Sequence, residues 1–188
     1  MENEILKVTR NEGRADAPTA FIFSCPGQEE LKSGRLVNGQ TGKNLDMMLS
    51  FLNAEKPGLF PYTDRYDYRI TNSSERVHYK AYDGRTEPKT TEITTDENLA
   101  RLAEDISGYR CVITFGRCAS LAAKELADRG MCGGTVFLYS QHLSFLSLNS
   151  SIKTDINGNA IERGAPDSTK KRLEVAAWKI LGQLGHLE

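Results

Sequence analysis

Hydrophobic and polar positions follow one another along the chain with two different periods. Short runs rich in apolar and β-branched residues predict four strands, at residues 19–24, 66–72, 110–115 and 135–140. Segments whose apolar residues recur every three or four positions predict helices at about 43–54, 96–107, 118–129 and 168–184. Because strands and helices alternate, we predict an α/β fold: a three-layer α/β/α sandwich with a central, mostly parallel four-stranded sheet.

The segments between these elements are long and polar. Residues 25–42, 73–95, 142–153 and 154–167 lack apolar periodicity and are predicted to be loops, and a loop as long as 73–95 usually covers a site or is mobile. Ile5, Leu6 and Val8 predict a short additional edge strand. No repeat or linker divides the sequence, so the 188 residues are expected to form a single domain, 1–188.

Composition narrows the functional classes. With 39% hydrophobic and 26% charged residues, the chain has the values of a soluble globular protein, and no apolar run approaches the roughly 20 residues of a membrane span. Residues 1–16 are too polar for a signal peptide, so we expect a cytoplasmic setting. The chain is separately expected to be a monomer. A net charge of −1 gives no global field that attracts nucleic acid, so any such contact must use a local patch. The cysteines have no C-x-x-C spacing and are expected to be buried free thiols: Cys25, Cys111, Cys118 and Cys132.

Three of the predicted strands are followed by residues with useful chemistry. If the strands are parallel, residues 25–30, 72–74 and 142–147 lie at one edge of the sheet and meet in one crevice. The turn at Pro26 and Gly27 lets the backbone approach a ligand closely. The Asn72 amide has a donor and an acceptor in one plane, which suits the edge of an amide or nucleobase. His142 can donate a hydrogen bond to a carbonyl or to charge that develops on a leaving group.

Five motifs make this signal more specific. Residues 23–31 (FSCPGQEEL) are similar to G-E-A-P-G-x-x-E-D, and residues 34–45 (GRLVNGQTGKNL) to G-x-P-F-V-G-x-A-G-x-L-L. Residues 68–72 (YRITN) are similar to Y-I-T-N, residues 112–119 (VITFGRCA) to an apolar strand with a glycine and a small-residue helix, and residues 142–147 (HLSFLS) to H-P-S-P-L-S. In this order, across residues 18–185, they resemble the uracil-DNA glycosylase superfamily, most nearly the branch with the family-four type of first motif.

The resemblance implies a mechanism and roles. In that superfamily a damaged base is flipped into a pocket, and a bound water attacks the sugar carbon as the base leaves as an anion. Asn72 would read the pyrimidine edge and His142 would stabilise the charge on the base. Phe145, Leu146 and Leu148 are each either the apolar wedge that fills the emptied stack or packing residues. Ser144 and Ser147 would contact phosphates. The implied substrate-binding positions are Cys25, Pro26, Gly27, Gln28, Val37, Ser144 and Ser147.

The chain departs from the superfamily pattern where the chemistry occurs. Ser24 and Cys25 stand at the positions of the water-activating carboxylate, and Val37 stands where an aromatic ring stacks on the base. Glu30 is the predicted catalytic replacement beside His142 and Asn72, with Glu29 and His78 as further candidates. The cysteines lack the spacing of the iron–sulfur cluster of related branches, so no metal or other cofactor is expected.

Two other patterns are similar to sites for phosphate or nucleic acid. The segment GQTGKN at residues 39–44 is similar to a phosphate loop but fails at Val37 and Asn44, although the N-terminus of the following helix remains able to hold a phosphate. Tyrosines are interleaved with six basic residues between residues 62 and 95, as in sites for single-stranded nucleic acid. Six acidic residues in the same span cancel that charge, which favours a solvated loop.

Three hypotheses follow from the sequence. The chain is a glycosylase that acts on a base in DNA or on a related N-glycoside, a non-catalytic module that binds a nucleotide, base or nucleic acid, or a scaffold whose pocket serves a protein partner. They differ in what they require of Asn72 and His142. The first requires both for release of a base, the second requires Asn72 for binding without turnover, and the third is indifferent to both.

Overall fold

The computed structural model describes residues 10–185 of the chain. Within them, the strands are β1 (Arg10–Asn11), β2 (Thr19–Phe23), β3 (Arg69–Asn72), β4 (Cys111–Phe115) and β5 (Val136–Ser140). The helices are α1 (Gln28–Ser33), α2 (Gln40–Glu55), α3 (Lys80–Asp83), α4 (Thr90–Ile93), α5 (Asp96–Asp105), α6 (Arg117–Asp128), α7 (Phe145–Ser151) and α8 (Ser168–Leu184). The four predicted strands and the four predicted long helices are thus present, with ends shifted by a few residues.

The sheet is five-stranded and mixed, so the prediction of four strands was wrong. Its strand order is β1-β3-β2-β4-β5, in which β3, β2, β4 and β5 are parallel and β1 pairs antiparallel with β3. The part of β1 that lies within residues 10–185 has two residues, both polar, which is too short for an apolar period to show. It is held by the side chain of Asn11, which donates to the carbonyls of Tyr66 at 3.0 Å and Tyr68 at 2.6 Å. The edge strand predicted at Ile5, Leu6 and Val8 lies outside the described residues.

The two faces of the sheet carry separate hydrophobic clusters. Every residue of β2 is buried, and because side chains alternate along a strand, Phe21 and Phe23 pack on one face and Ala20 and Ile22 on the other. The first cluster includes side chains from α2 and α8, and the second includes side chains from α5 and α6. Helices therefore cover both faces, as parallel strands buried on both sides require.

Three of the predicted loops contain short helices. Helix α1 lies in the segment 25–42, α3 and α4 lie in the segment 73–95, and α7 lies in the segment 142–153. These helices have four to seven residues, which is too short to show a helical apolar period. Residues 65–67, at the predicted start of the second strand, instead form a 3₁₀ turn capped by the Asp64 carboxylate, which accepts the Tyr66 N–H at 2.8 Å. Across residues 10–185, no helix has the length and apolar character needed to span a membrane.

Candidate functional site

A cavity of about 250 Å³ lies at the carboxyl edge of the parallel strands. It is formed by the segments that follow β2, β3 and β5, as predicted, together with the start of α2 and part of the segment 73–95. The residues that line it are Phe23, Cys25, Gly27, Glu30, Val37, Thr41, Asn72, His78, Tyr79, Thr86 and His142. The structure therefore brings together all three predicted catalytic positions, Asn72, His142 and Glu30.

His142 reaches this cavity by crossing the end of β4. Strand β5 is two strands away from β2, and Gly116 ends the intervening strand, where its N–H donates to the carbonyl of Ser140 at 2.9 Å. A Cβ added to Gly116 would lie 3.2 Å from the Cβ of His142, so the missing side chain makes room for the histidine. The buried side chain of Asn44 on α2 donates to the carbonyl of Leu143 at 2.7 Å, which fixes the backbone directly after His142.

The His142 imidazole is held neutral with a defined tautomer. Desolvation by burial lowers its pKa below the ordinary value of 6.5, although Glu87 acts in the opposite direction. The backbone N–H of Ser144 donates to Nδ1 at 3.1 Å, so in the neutral ring Nε2 carries the proton. An edge-on contact with Phe23, at 6.3 Å between ring centroids, orients the ring further. The side chain thus offers an N–H donor without carrying a positive charge.

Asn72 is placed by a buried network at the end of β3. Arg101 donates to the Asn72 carbonyl at 2.9 Å and to Thr71 Oγ1 at 3.1 Å. The buried carboxylate of Asp105 accepts from Thr71 at 2.7 Å and from Arg101 at 2.6 Å. Asn72 is only 3% exposed, yet no group within residues 10–185 hydrogen bonds its side-chain amide. The amide lines the cavity and keeps access to solvent there, so it is free to hydrogen bond a ligand.

Glu30 is the carboxylate among the residues that line the cavity. Its Oε2 accepts the Gly27 N–H at 3.1 Å, which caps α1 and ties the side chain to the turn after β2. Desolvation by burial raises its pKa, and the hydrogen bond from Gly27 partly offsets this effect. Glu29, the neighbouring acid, is exposed and pairs with Lys32 at 3.1 Å on the surface.

Val37 lies in a strained backbone conformation. Its φ of +50° is in the left-handed region, which is disfavoured for a β-branched residue. Its carbonyl packs onto Gly42 in the first turn of α2, where an added Cβ would overlap the Val37 oxygen and lie 2.6 Å from the Arg65 Nε. Strain of this kind persists only where the surroundings fix it and concentrates at functional sites. Gly42 therefore has a packing role, which explains the glycine that makes residues 39–44 similar to a phosphate loop.

The thiol at the position of the expected water activator stays protonated. Desolvation by burial raises the pKa of Cys25 to about 12, so its sulfur stays protonated at neutral pH. The Ser24 hydroxyl is buried without a hydrogen-bond partner in the described part of the chain. Cys111 and Cys118 are buried free thiols, whereas Cys25 and Cys132 are free and partly buried, so the cysteine prediction is confirmed for the first pair only.

Residues 76–93, called here the covering segment, form one wall of the cavity. The His78 N–H donates to the Pro26 carbonyl at 3.0 Å, and the Cys25 thiol contacts the Thr86 carbonyl at 3.8 Å. The His78 ring is buried, with Nδ1 2.6 Å from Asp83 and Nε2 3.6 Å from Glu92. A solvated loop was the favoured interpretation of this span, but the structure packs part of it against the site. Phe23, Thr41 and Thr86 are lining residues that the sequence did not single out as site residues, because nothing local marks them. Tyr79 is one of the tyrosines interleaved with basic residues between residues 62 and 95, where the solvated loop was preferred.

Four predicted substrate-binding residues lie outside the cavity lining. Pro26 is buried behind it, and Gln28 is exposed as the first residue of α1. Ser144 is the N-cap of α7 and accepts the Ser147 N–H at 3.3 Å, so both serines are engaged in starting that helix. Among the wedge candidates on α7, Leu148 is buried and is a packing residue, whereas Phe145 is 46% and Leu146 is 78% exposed.

The chain was compared with known proteins. No protein-family model matches it, and no curated protein matches it either. Across the described residues, no cluster of three histidine, cysteine or acidic side chains is placed to hold a metal ion.

Proposed function

We propose that the chain is a uracil-DNA glycosylase-like protein that binds a flipped-out base in this cavity and hydrolyses its N-glycosidic bond. The observation that carries the proposal is the meeting of an Asn72 amide that is open to the cavity and a neutral His142 N–H donor, at the ends of parallel strands. The order of the five sequence motifs supports it independently.

The two side chains suit a ring that contains a carbonyl beside an N–H. The Asn72 amide can donate to the carbonyl and accept from the N–H, which forms two hydrogen bonds in one plane. The His142 Nε2–H can donate to a carbonyl oxygen on which negative charge grows as the base leaves. A neutral donor is effective here because its own proton is retained while the anion forms.

Glu30 is the group proposed to activate water. The oxygen of the water attacks the sugar C1′, the carbon–nitrogen bond breaks with its electron pair going to the base, and the released proton passes to the Glu30 carboxylate. A carboxylate with a raised pKa is the stronger base, and a placed base contributes about 10²- to 10⁴-fold to such a step. The exposed side chain of Leu146, at the start of α7, is the proposed wedge.

A second candidate function is binding of a base or nucleotide without turnover. It is favoured by a specific observation: Ser24 and the protonated thiol of Cys25 stand where the resemblance places the water-activating carboxylate. In this case Asn72 and His142 hold the ligand, and Glu30 serves only as the cap of α1.

A base-release assay separates these functions. The protein is incubated with single- and double-stranded DNA that carries uracil, hypoxanthine or other modified bases, and free base and alkali-labile sites are measured. The hydrolase is supported if release stops in His142→Ala and Asn72→Ala and persists in Glu29→Gln. In Glu30→Gln the rate of release should fall by about 10²-fold or more. Glu29→Gln is the matched control because that acid lies next to Glu30 but is exposed. Absence of release from every substrate by the folded protein contradicts it.

A further inference from the structure

The cavity contains one aromatic ring that its sequence motifs do not account for. Tyr79 lines the cavity together with Asn72 and His142, but it comes from the covering segment rather than from a strand-end motif. The other aromatic side chain of the lining, Phe23, is 3% exposed and already stacks on Phe115 with 4.6 Å between ring centroids. Val37, at the expected position of the stacking aromatic, has no ring.

Tyr79 is held so that one face of its ring is already used. Its ring stacks on Tyr82, with centroids 5.3 Å apart and an interplanar angle of 24°. The residue is partly buried against the core and is the N-cap of α3. Its hydroxyl makes no hydrogen bond within residues 10–185, so the ring rather than the oxygen is the part that the fold positions.

The backbone on the N-terminal side of Tyr79 is fixed by its neighbour. His78 is tied to the turn after β2 through the Pro26 carbonyl, and its buried ring contacts the carboxylates of Asp83 and Glu92. Arg85 joins the same two carboxylates, at 3.0 and 3.1 Å. A ring attached to so restrained a backbone loses little conformational entropy when a ligand stacks on it.

We propose that Tyr79 is the stacking face of the cavity, so that the site selects a planar, unsaturated ring with a lactam edge. This rests on the proposed function, because Asn72 and His142 supply the edge that fixes the ring in its plane. Stacking on an aromatic side chain tolerates different bases, since every base presents a π face. The covering segment thus replaces the ring that is missing at Val37.

The test compares two ligands that share a hydrogen-bonding edge and differ in their rings. Uracil is planar and unsaturated, whereas 5,6-dihydrouracil keeps the lactam edge but has a saturated carbon–carbon bond. Affinities are measured by NMR titration for the wild type, Tyr79→Phe, Tyr79→Leu and Tyr79→Met. Tyr139→Leu is the matched control because this tyrosine is 43% exposed on the edge strand β5 and does not line the cavity.

We expect the wild type, Tyr79→Phe and Tyr139→Leu to bind uracil about tenfold more tightly than dihydrouracil, and the Leu and Met variants to lose that preference. The ratio is taken within one protein, so a general loss of stability does not mimic the result. A wild type without preference, or a Leu or Met variant that keeps it, overturns the role of Tyr79 and leaves the proposed function standing. Failure of the wild type to bind uracil overturns this proposal, and the base-release assay then decides whether the proposed function falls with it.

Discussion

Replacement of Gly116 by alanine tests how the fold delivers His142 to the cavity. Gly116 has φ +91° and ψ 173°, a backbone region that is essentially restricted to glycine and costs other residues about 1–3 kcal/mol. The lower entropy of an unfolded chain with alanine offsets about 0.4–1 kcal/mol of this cost. The added Cβ would also lie 3.2 Å from the His142 Cβ, so the histidine must move by a few tenths of an ångström.

We therefore expect Gly116→Ala to lower the free energy of unfolding by about 1–2 kcal/mol and to change the environment of His142. Urea denaturation measures the first effect. The second is measured from the imidazole NMR signals of a chain that has three histidines, with the His142 signal assigned from its absence in His142→Gln. A displaced ring is less desolvated, so its pKa should rise towards the ordinary value.

Gly108→Ala is the matched control for this substitution. Gly108 also has a positive φ, +83°, but an added Cβ there would meet nothing within 4 Å. It should lose stability for backbone reasons alone and leave the His142 signal unchanged. The reasoning is refuted if Gly116→Ala leaves both the stability and the His142 pKa at their wild-type values, or if Gly108→Ala shifts the histidine equally.

Three further predictions concern stability. Gly42→Ala should lower the free energy of unfolding by about 3 kcal/mol, because the new Cβ overlaps the Val37 carbonyl and the backbone cannot rotate away. Gly58→Ala, which has open space around it, should leave the free energy of unfolding unchanged. Equal denaturation midpoints for the two variants would contradict this. Arg172→Leu should lower the free energy of unfolding by about 3 kcal/mol, because the buried guanidinium donates to three backbone carbonyls that would lose their partner. Urea denaturation measures this, and a decrease below about 1 kcal/mol would be inconsistent with that role. Burial lowers the pKa of His142, so as the pH falls the unfolded chain takes up the proton before the folded chain does. The free energy of unfolding should therefore hold its full value above pH 6.5 and decrease as the pH falls below it. His142→Gln should remove this part of the decrease, and a dependence of the free energy of unfolding on pH equal to that of the wild type would disprove it.

The apolar pattern was sufficient for the elements that build the core. Residues 110–115 predict a strand from an almost unbroken apolar run, as is typical of strands covered on both faces, and β4 is buried at every position. Helix α5 begins within a residue of its predicted start, where the Thr95 hydroxyl accepts the Asn98 N–H at 3.3 Å as an N-cap. These signals are local, since burial on both faces and capping each act within a few residues of sequence.

The remaining features depend on contacts between distant residues. Strand β1 has no apolar period, and its pairing is fixed by Asn11 and the carbonyls of a distant turn. The convergence of Asn72 and His142 followed from parallel strands alone, but the place of Tyr79 did not, because its approach to the cavity is set by the hydrogen bond between His78 and the Pro26 carbonyl. The sequence motifs thus predicted that the site lies at the carboxyl edge of the sheet. The cavity wall formed by the covering segment depends on tertiary contacts that no motif encodes.

The most direct test of the base-binding cavity is an NMR titration that observes the Asn72 side-chain amide and the His142 imidazole while uracil, cytosine, hypoxanthine and guanine are added in turn. The amide has no partner within the described residues, so its signals report a new hydrogen bond without interference from an existing one. The account predicts that a base with a lactam edge shifts both side chains together, and that Asn72→Ala abolishes binding while Asn157→Ala, at an exposed position, does not. Binding of a base in this cavity would be contradicted if both signals stay unmoved up to the highest concentration of each of the four bases.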